Sequence, residues 1–386
     1  MRHLIITRGV PGCGKSTFIK NNNLSAYTLC PDDIRLMFSS PILTESGKLG
    51  IDQSNDKKVW ELLYSLLEQR MARGELCVID ATHKLQRDIN KYEELAKKYL
   101  YNLLIVDFSH VSLETCLAQN MQRVEYKQVP TAVIENQHRK VQSAQLSKKL
   151  TIIESTDTDA FDKWLKQSVQ EKDLSQYKKL HVIGDIQGCA TVLKEYFAEG
   201  LKQDEFYIFV GDFLDRGIEN GEVMTWAIEN LTHARNVEIL FGNHETHLLR
   251  WIGGLPCKSQ EFEQNTLPQI LEAGITKGQV YSLLRKMRDI LFISYKGKKL
   301  VVTHAGLSYI PKDPHLVPSY QYWKGIASYG EPVDELFTKS SPDYIQFHGH
   351  RNTHSLSIMA SANSLNLEGK VEFGESLRIA TIEDNS

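Results

Sequence analysis

The chain has 386 residues, 41% of them hydrophobic and 24% charged, with a formal net charge of −3 at pH 7. That length exceeds what one core usually serves, so two domains are expected. No apolar run reaches the roughly 20 residues of a membrane span, and the near-neutral charge excludes a generally basic nucleic-acid coat, leaving any polyanion contact local. Six scattered cysteines (13, 30, 77, 116, 189 and 257) form no CxxC pair. That usage argues against a disulfide framework or zinc site and for a reduced, cytoplasmic setting. The sequence enters a strand at Leu4 with no signal-peptide pattern.

The first half alternates strand and helix, the pattern of a parallel sheet. Leu4–Thr7 (LIIT) reads as a strand, and Lys15–Asn22 can begin a helix. Val59–Met71 (VWELLYSLLEQRM) has apolar residues at helical spacing and is stopped by Gly74; its Val59–Leu67 stretch is assigned to core rather than to a dimer surface. Leu76–Asp80 is a second buried strand, Arg87–Tyr99 a helix and Leu103–Phe108 a strand. Ser112 can cap a helix over Leu113–Gln122, and Pro130 precedes another over Thr131–Val141. From Gln142 to Lys179 the chain is polar and lysine-rich with few aromatic anchors. The expected division is therefore a first domain over 1–150, a linker over 151–178 and a second domain over 179–386. In the second domain the strands His181–Ile183, Tyr207–Val210 and Val237–Leu240 each run into a short polar motif. Leu291–Tyr295 and Lys299–Thr303 read as a hairpin turning at Lys296–Lys298.

Residues Gly9 to Thr17 read GVPGCGKST, a full Walker A match with the required strand before it and helix after it. Glycines let the backbone N–H groups of Gly9, Gly12, Cys13 and Gly14 close around phosphate oxygens, Lys15 adds a cation, and Ser16 with Thr17 can hold Mg²⁺ and phosphate. The element PDDIR follows the second predicted strand. A carboxylate there, Asp32, can take the proton of an attacking hydroxyl, and Arg35 can hold an acceptor phosphate. A helix N-cap is the alternative role for Asp32 or Asp33. Asp80, in VIDATH, sits near either Mg²⁺ or the acceptor, or is a structural carboxylate. Arg123, in QNMQR, can neutralise charge on the transferred group as a lid arginine; a plain surface arginine is the alternative. The basic residues Arg139, Lys140, Lys148 and Lys149 fit a solvated helix face better than a nucleic-acid track.

From Gly184 onward come GDIQGC, GDFLDRG, GNHE, THAG and HGH. Dinuclear phosphoesterases need carboxylate, amide and imidazole ligands at strand ends, and Asp185, Asp212, Asn243, His304 and His350 supply them in order. Asp212 is the expected bridging ligand. His244 is the expected general acid, Asp215 orients its ring, and Arg216 can grip the substrate phosphate. Gln187 stands as a further metal ligand. His348 and His350 both qualify for the last position, and His350, following Gly349, is preferred.

The stretches GVPGCGKST, DDIR, VIDATHKL and QNMQR, with VPTAVI just after, resemble the 5′-polynucleotide kinases of phage and bacterial RNA repair. The resemblance implies that Asp32 is the general base and that Arg35 contacts the acceptor phosphate. It also implies paired lid arginines, of which this chain shows Arg123, with Gln119 at the partner position. The second motif set resembles the calcineurin-like metallophosphoesterase superfamily. That implies a β-sandwich flanked by helices and two divalent metals, Mn²⁺ above all. Two positions depart from its pattern: Gln187 replaces the usual histidine of the first motif, and Asn352 replaces the second histidine of the last. The Gln variant is similar to sequences among diadenosine tetraphosphate hydrolases.

The expected fold is thus an α/β P-loop kinase with a parallel sheet followed by an α+β metallophosphoesterase sandwich. The order of modules resembles bacterial end-healing enzymes, whose ligase would here be a separate protein. That implies ATP and Mg²⁺ at the first site and RNA or DNA ends as partners. The reactions implied are 5′-hydroxyl phosphorylation and removal of a 2′,3′-cyclic or 3′-phosphate. Two other readings stand beside it. One is a small-molecule kinase fused to a dinucleoside polyphosphate hydrolase or protein phosphatase; the other is a binding protein with a degenerate phosphatase half.

Overall fold

All seven residues of β1 (Arg2–Arg8) are buried, as a central parallel strand covered on both faces requires. The computed structural model describes residues 2–45, 47–352 and 357–383. The chain divides into two units, Arg2–Lys166 and Gln167–Ser386. In the first, β1 leads to α1 (Lys15–Asn21), β2 (Thr28–Leu29), α2 (Pro31–Phe38), a small hairpin of β3 (Ile42–Leu43) and β4 (Leu49–Gly50), then α3 (Asp56–Ala72). There follow β5 (Cys77–Ile79), α4 (Gln86–Tyr99), β6 (Tyr101–Asp107), α5 (Leu113–Met121), α6 (Thr131–Ser143), β7 (Thr151–Glu154) and α7 (Thr158–Lys166). Five strands lie in the order β2-β5-β1-β6-β7, every pair parallel. The chain leaves β1 toward β2 and β5 on one side and returns to β6 and β7 on the other. The loop after β1 therefore lies at the crevice where ligands of such sheets bind.

The local signals act as their chemistry dictates. Val59, Leu63, Leu67 and Met71 of α3 recur every fourth residue and are fully buried. Gly74, at φ 67°, ends that helix in the left-handed conformation. Ser112 Oγ accepts the Thr115 N–H at 3.2 Å and caps α5.

The stretch 151–178 is no linker. β7 extends the sheet beside β6, pairing Leu104 with Thr151 through Asp107 with Glu154. α7 buries Phe161, whose ring meets Phe18 at 4.9 Å, and Trp164 packs on His3 at 4.4 Å. β8 (Lys172–Asp173) already belongs to the second unit, where it pairs with a strand more than a hundred residues later. The edge strand β7 is mostly exposed, so it carries no alternating apolar pattern, and the anchors of α7 are too few to stand out in a polar window.

The second unit contains β9 (Lys179–Ile183), α8 (Ala190–Tyr196), β10 (Glu205–Phe209), α9 (Asn220–Leu231), β11 (Val237–Ile239) and α10 (Glu245–Ile252). Helices at Leu267–Glu272 and Lys277–Lys286 precede β12 (Ile290–Tyr295) and β13 (Lys298–Thr303), and a helix at Val333–Ser340 precedes β14 (Tyr344–His348). The last strands are β15 (Met359–Ser361), β16 (Ser364–Asn366) and β17 (Ile379–Glu383). One sheet runs β11-β10-β9-β17 and the other β15-β16-β14-β13-β12-β8. Period-two alternation explains how they pack. Leu291, Ile293 and Tyr295 of β12 join Val182 of β9 and Ile208 of β10 in the core between the sheets. Ile290 and Phe292 point to the opposite face and pack on Tyr322 and Phe337. The β12–β13 hairpin turns on two residues only, Lys296 at φ 48° and Gly297 at φ 78°; Lys298 is already in the strand.

Candidate functional site

The first unit holds a cleft of about 1580 Å³ lined by Pro11–Phe18, Asp32, Arg35, Asp80, Gln119 and Arg123. The loop from β1 to α1 shapes it. Gly12 sits at φ 82°, and a Cβ there would lie 2.1 Å from the Cys116 carbonyl oxygen, so no other residue lets the loop approach α5 so closely. Lys15 Nζ donates to the Gly9 and Val10 carbonyls at 2.9 and 2.8 Å. Ser16 Oγ donates to Asp80 Oδ2 at 2.8 Å, and Thr7 Oγ1 reaches Asp80 Oδ1 at 3.4 Å. Asp80 therefore sits beside Ser16 at the P-loop. The Cys13 thiol is buried, and that burial pushes its pKa up, so it is a protonated packing group rather than a thiolate.

Asp32 and Asp33 occupy the first turn of α2, and neither caps it. The N-cap is Cys30, with Pro31 opening the helix. Arg35 Nη1 pairs with Asp32 Oδ1 at 2.7 Å, and its Nε donates to Asp56 Oδ1 at 2.8 Å. Asp33 instead pairs with Lys127 at 3.1 Å. The structure thus separates the two aspartates: Asp32 is held beside the arginine, while Asp33 is paired with Lys127. Asp56, which fixes Arg35, carries no motif and is visible only once α3 is folded against α2.

In the second unit Asp185, Asp212, Asn243, His304 and His350 all follow strand ends, those of β9, β10, β11, β13 and β14. Ligand atoms of Asp212, His304 and His350 converge within 4.8 Å of one another. His304 Nδ1 lies 2.9 Å from the Val210 carbonyl, which can only accept, so this nitrogen carries a proton. Nε2 then faces Asn243 Oδ1 at 3.1 Å and Asp212 Oδ2 at 3.2 Å. Burial would lower the His304 pKa, but the Asp212 carboxylate outweighs it and raises it, so Nε2 meets these oxygens as a proton donor and would turn its lone pair on a divalent cation held among the same atoms. Asp185 Oδ1 and Gln187 Oε1 are buried and find no donor among the described residues. A Cβ at Gly349 would fall 1.7 Å from Asp185 Oδ1, so the backbone closes on that carboxylate. These acceptors fit a pair of divalent cations, which the six ligands including Gln187 would hold.

Electrostatics agree with that fit. Burial raises the Asp185 pKa, and the neighbouring Glu368 and Asp212 carboxylates add to it. Burial alone would raise Asp212 as well, but the His304 and His244 imidazoles outweigh it and hold this carboxyl well below the usual range. His350 is pushed down to about 3 by burial and by the facing His304, which leaves its ring neutral and free to ligate. His348 does not compete for that place. Its Nε2 is 2.9 Å from Asp334 Oδ1 and its Nδ1 2.9 Å from the Gly349 carbonyl. Asn352, at the replaced histidine position, donates from Nδ2 to the Glu368 carbonyl at 2.8 Å and has a structural role.

Beside the metal ligands, His244 Nδ1 meets Asp215 Oδ2 at 2.6 Å, and Thr266 hydroxyl donates to the other Asp215 oxygen. Burial would lower His244, yet the Asp212 and Asp215 carboxylates raise it to about 9, so it carries a proton at neutral pH. Arg216 Nη1 pairs with Glu372 Oε1 at 3.0 Å while about half exposed. Among the described residues eleven non-glycine positions have positive φ, and Gln187, Asp212, Asp215, Arg216 and His350 are five of them. Backbone strain is concentrated where the ligands must converge. The motif reading missed Glu245. Fully buried, it accepts from the Asp212 and Gly242 N–H groups through Oε2 (2.9 and 2.8 Å) and from Phe213 through Oε1 (3.0 Å). It fixes the strained loop that carries Asp212, and the signal for it was the last residue of GNHE.

Residues 4–144 match the family model described as an AAA domain, and residues 178–377 match that of calcineurin-like phosphoesterases. A symmetrical bis(5′-nucleosyl)-tetraphosphatase of Marinomonas sp. is 33% identical over 130 residues, covering 33% of this chain and 44% of that protein. A protein of the same name from Coxiella burnetii is 31% identical over 144 residues, 36% of this chain and 46% of its own. The chain thus spans less than half the length of these relatives. The fold is similar to that of a putative diadenosine tetraphosphatase (17% identity, TM-score 0.42, covering 55% of this chain and 94% of that one). It is also similar to a chain of the Pnkp1/Rnl/Hen1 RNA repair complex (15% identity, TM-score 0.31, covering 65% and 83%). With just over half of its residues matched, the chain belongs to the calcineurin-like phosphoesterase family, its phosphoesterase domain preceded by a P-loop kinase-like domain.

Proposed function

We propose that this kinase–phosphatase heals polynucleotide ends, phosphorylating a 5′-hydroxyl with ATP and removing a 2′,3′-cyclic or 3′-phosphate. The observation that carries the reading is the acceptor side of the first cleft. There Asp32 is held by Arg35 in the same cleft as the Ser16–Asp80 pair, an arrangement that suits a hydroxyl flanked by a phosphate. Asp32 takes the hydroxyl proton as that oxygen attacks the γ-phosphorus. Lys15 and Arg123 stabilise the charge that builds on the transferred group, Arg35 holds the neighbouring phosphodiester, and ADP leaves. Mg²⁺ held through Ser16 and Asp80 supplies charge neutralisation at the nucleotide.

In the second unit, two divalent cations, Mn²⁺ in our reading, would supply charge neutralisation and an acidified water. Arg216 swings from Glu372 to the phosphate. His244 donates its proton to the leaving ribose oxygen, and Asp215 holds the ring in place. The products, a 5′-phosphate and a free 3′-hydroxyl, are the ends that a separate ligase joins. The cytoplasm is the compartment proposed. The test is an end-group assay on RNA and DNA oligomers with ATP and Mn²⁺ varied separately. Label transferred to a 5′-hydroxyl end and phosphate released from a 3′ end support the reading; failure of both ends it. The second reading, a dinucleoside polyphosphate hydrolase joined to a small-molecule kinase, is favoured by the names of the relatives. Hydrolysis of diadenosine tetraphosphate with no labelling of any oligonucleotide would establish it instead.

A further inference from the structure

Two aromatic side chains of α3 are unused by the chemistry above. Trp60 lies one helical turn after Asp56, the carboxylate that fixes Arg35, and Tyr64 lies one turn further. Their ring centroids are 6.0 Å apart with 33° between planes. Tyr64 continues the series to Tyr92 at 5.7 Å, and Tyr92 meets His83 edge-on at 5.1 Å. Trp60 and Tyr64 line the same cleft as Asp32 and Arg35.

The core does not need these rings. α3 buries Val59, Leu63, Leu67 and Met71, whereas Trp60 and Tyr64 are only half-buried. Lys84 and Arg87 line the same cleft, as does Lys127 in its pair with Asp33. Flat rings among cations are what a single strand requires: π-faces for its bases and positive charge for its phosphodiesters. A polyol or sugar acid would offer no flat face to such a wall.

Resting on the end-healing reading, we infer that Trp60, backed by Tyr64, stacks on the terminal base of the acceptor strand and thereby presents its 5′-hydroxyl to Asp32. The experiment compares two 5′-hydroxyl oligonucleotides that differ only in whether the first nucleotide bears a base, using the full chain. The unsubstituted protein is expected to show a KM about tenfold higher for the abasic acceptor. Trp60→Ala raises the KM of the base-bearing acceptor to the abasic level, erases the difference and leaves the KM for ATP unchanged; Trp60→Phe keeps most of the discrimination. If Trp60→Ala discriminates as before, or if the unsubstituted protein treats the two acceptors alike, stacking is overturned while end healing stands. If neither oligonucleotide is labelled although a small hydroxyl compound is, end healing falls and the stacking site with it.

Discussion

The two phosphate sites of this chain hold charge in opposite ways. In the phosphoesterase unit the Asp212 side chain is 1% exposed and its backbone lies at φ 49°. In the kinase-like unit the Asp32 side chain is 39% exposed and sits in an ordinary helical turn. Buried carboxylates need backbone donors, as Glu245 has, or a positive partner. The acceptors gathered around Asp212 fit resident divalent cations. At the P-loop the charge arrives and departs with the nucleotide, so its carboxylates must be stable in water between visits. Strain follows the same division. The phosphoesterase unit forces five non-glycine site residues into positive φ, while the nucleotide loop assigns such angles to Gly12 and Gly14. A resident metal pair can hold a strained backbone in place; a transient ligand is better served by glycine.

Substitutions should break the comparison cleanly. Asp212→Ala removes the carboxylate proposed to serve both cations, so hydrolysis should fall on the order of 10³-fold or more while phosphorylation is untouched. Lys15→Ala and Asp32→Ala should do the reverse, each lowering phosphorylation by about 10³-fold with hydrolysis intact. Both activities are measured on one preparation of each variant. Loss of both from a single substitution would show that the units are not independent. Gln187→His is smaller and sharper. Histidine tolerates positive φ better than most residues, and an imidazole is a better donor than an amide for Mn²⁺-like ions. The first cation should bind about tenfold more tightly, read by an electron-spin-resonance titration of Mn²⁺. Unchanged affinity would mean that position 187 does not reach the ion.

The same division explains what the sequence revealed. Candidate metal ligands at strand ends are locked to motifs, because each must follow a particular strand by a fixed few residues; the placement of Asp185, Asp212, Asn243, His304 and His350 after strand ends was legible for that reason. Support residues were not. Asp56 reaches Arg35 across 21 positions, Glu372 reaches Arg216 across 156, and Thr266 reaches Asp215 across 51. No spacing rule links them, since the fold alone brings them together. Helices with a buried stripe, such as α3, announced themselves through periodicity. β7 did not, because an exposed edge strand is held by backbone hydrogen bonds that any side chain permits.

The finest test of the contrast concerns a titratable group that the kinase-like unit keeps buried and neutral. His83 is 4% exposed, its Nδ1 lies 2.7 Å from the Thr7 carbonyl, and its Nε2 finds no partner among the described residues. Burial pushes its pKa down to about 4, which the Thr7 carbonyl offsets only in part. The unfolded chain titrates at the ordinary histidine value, about 6.5. It therefore binds a proton between these two values that the folded unit refuses. Stability is complete above about pH 6.5 and is lost as the pH falls toward 4, by about 1 kcal/mol at pH 6. His83→Asn keeps an N–H donor for Thr7 and suits the φ of 42°, but it cannot titrate. Hydrogen exchange of the β1 amides in the full chain should therefore show an opening free energy that drops from pH 7 to pH 6 in the natural protein and stays flat in the variant. The slope rather than the absolute level is the criterion, because the smaller side chain leaves a cavity of its own. Equal slopes in the two proteins would mean that another buried group governs the acid sensitivity of this unit.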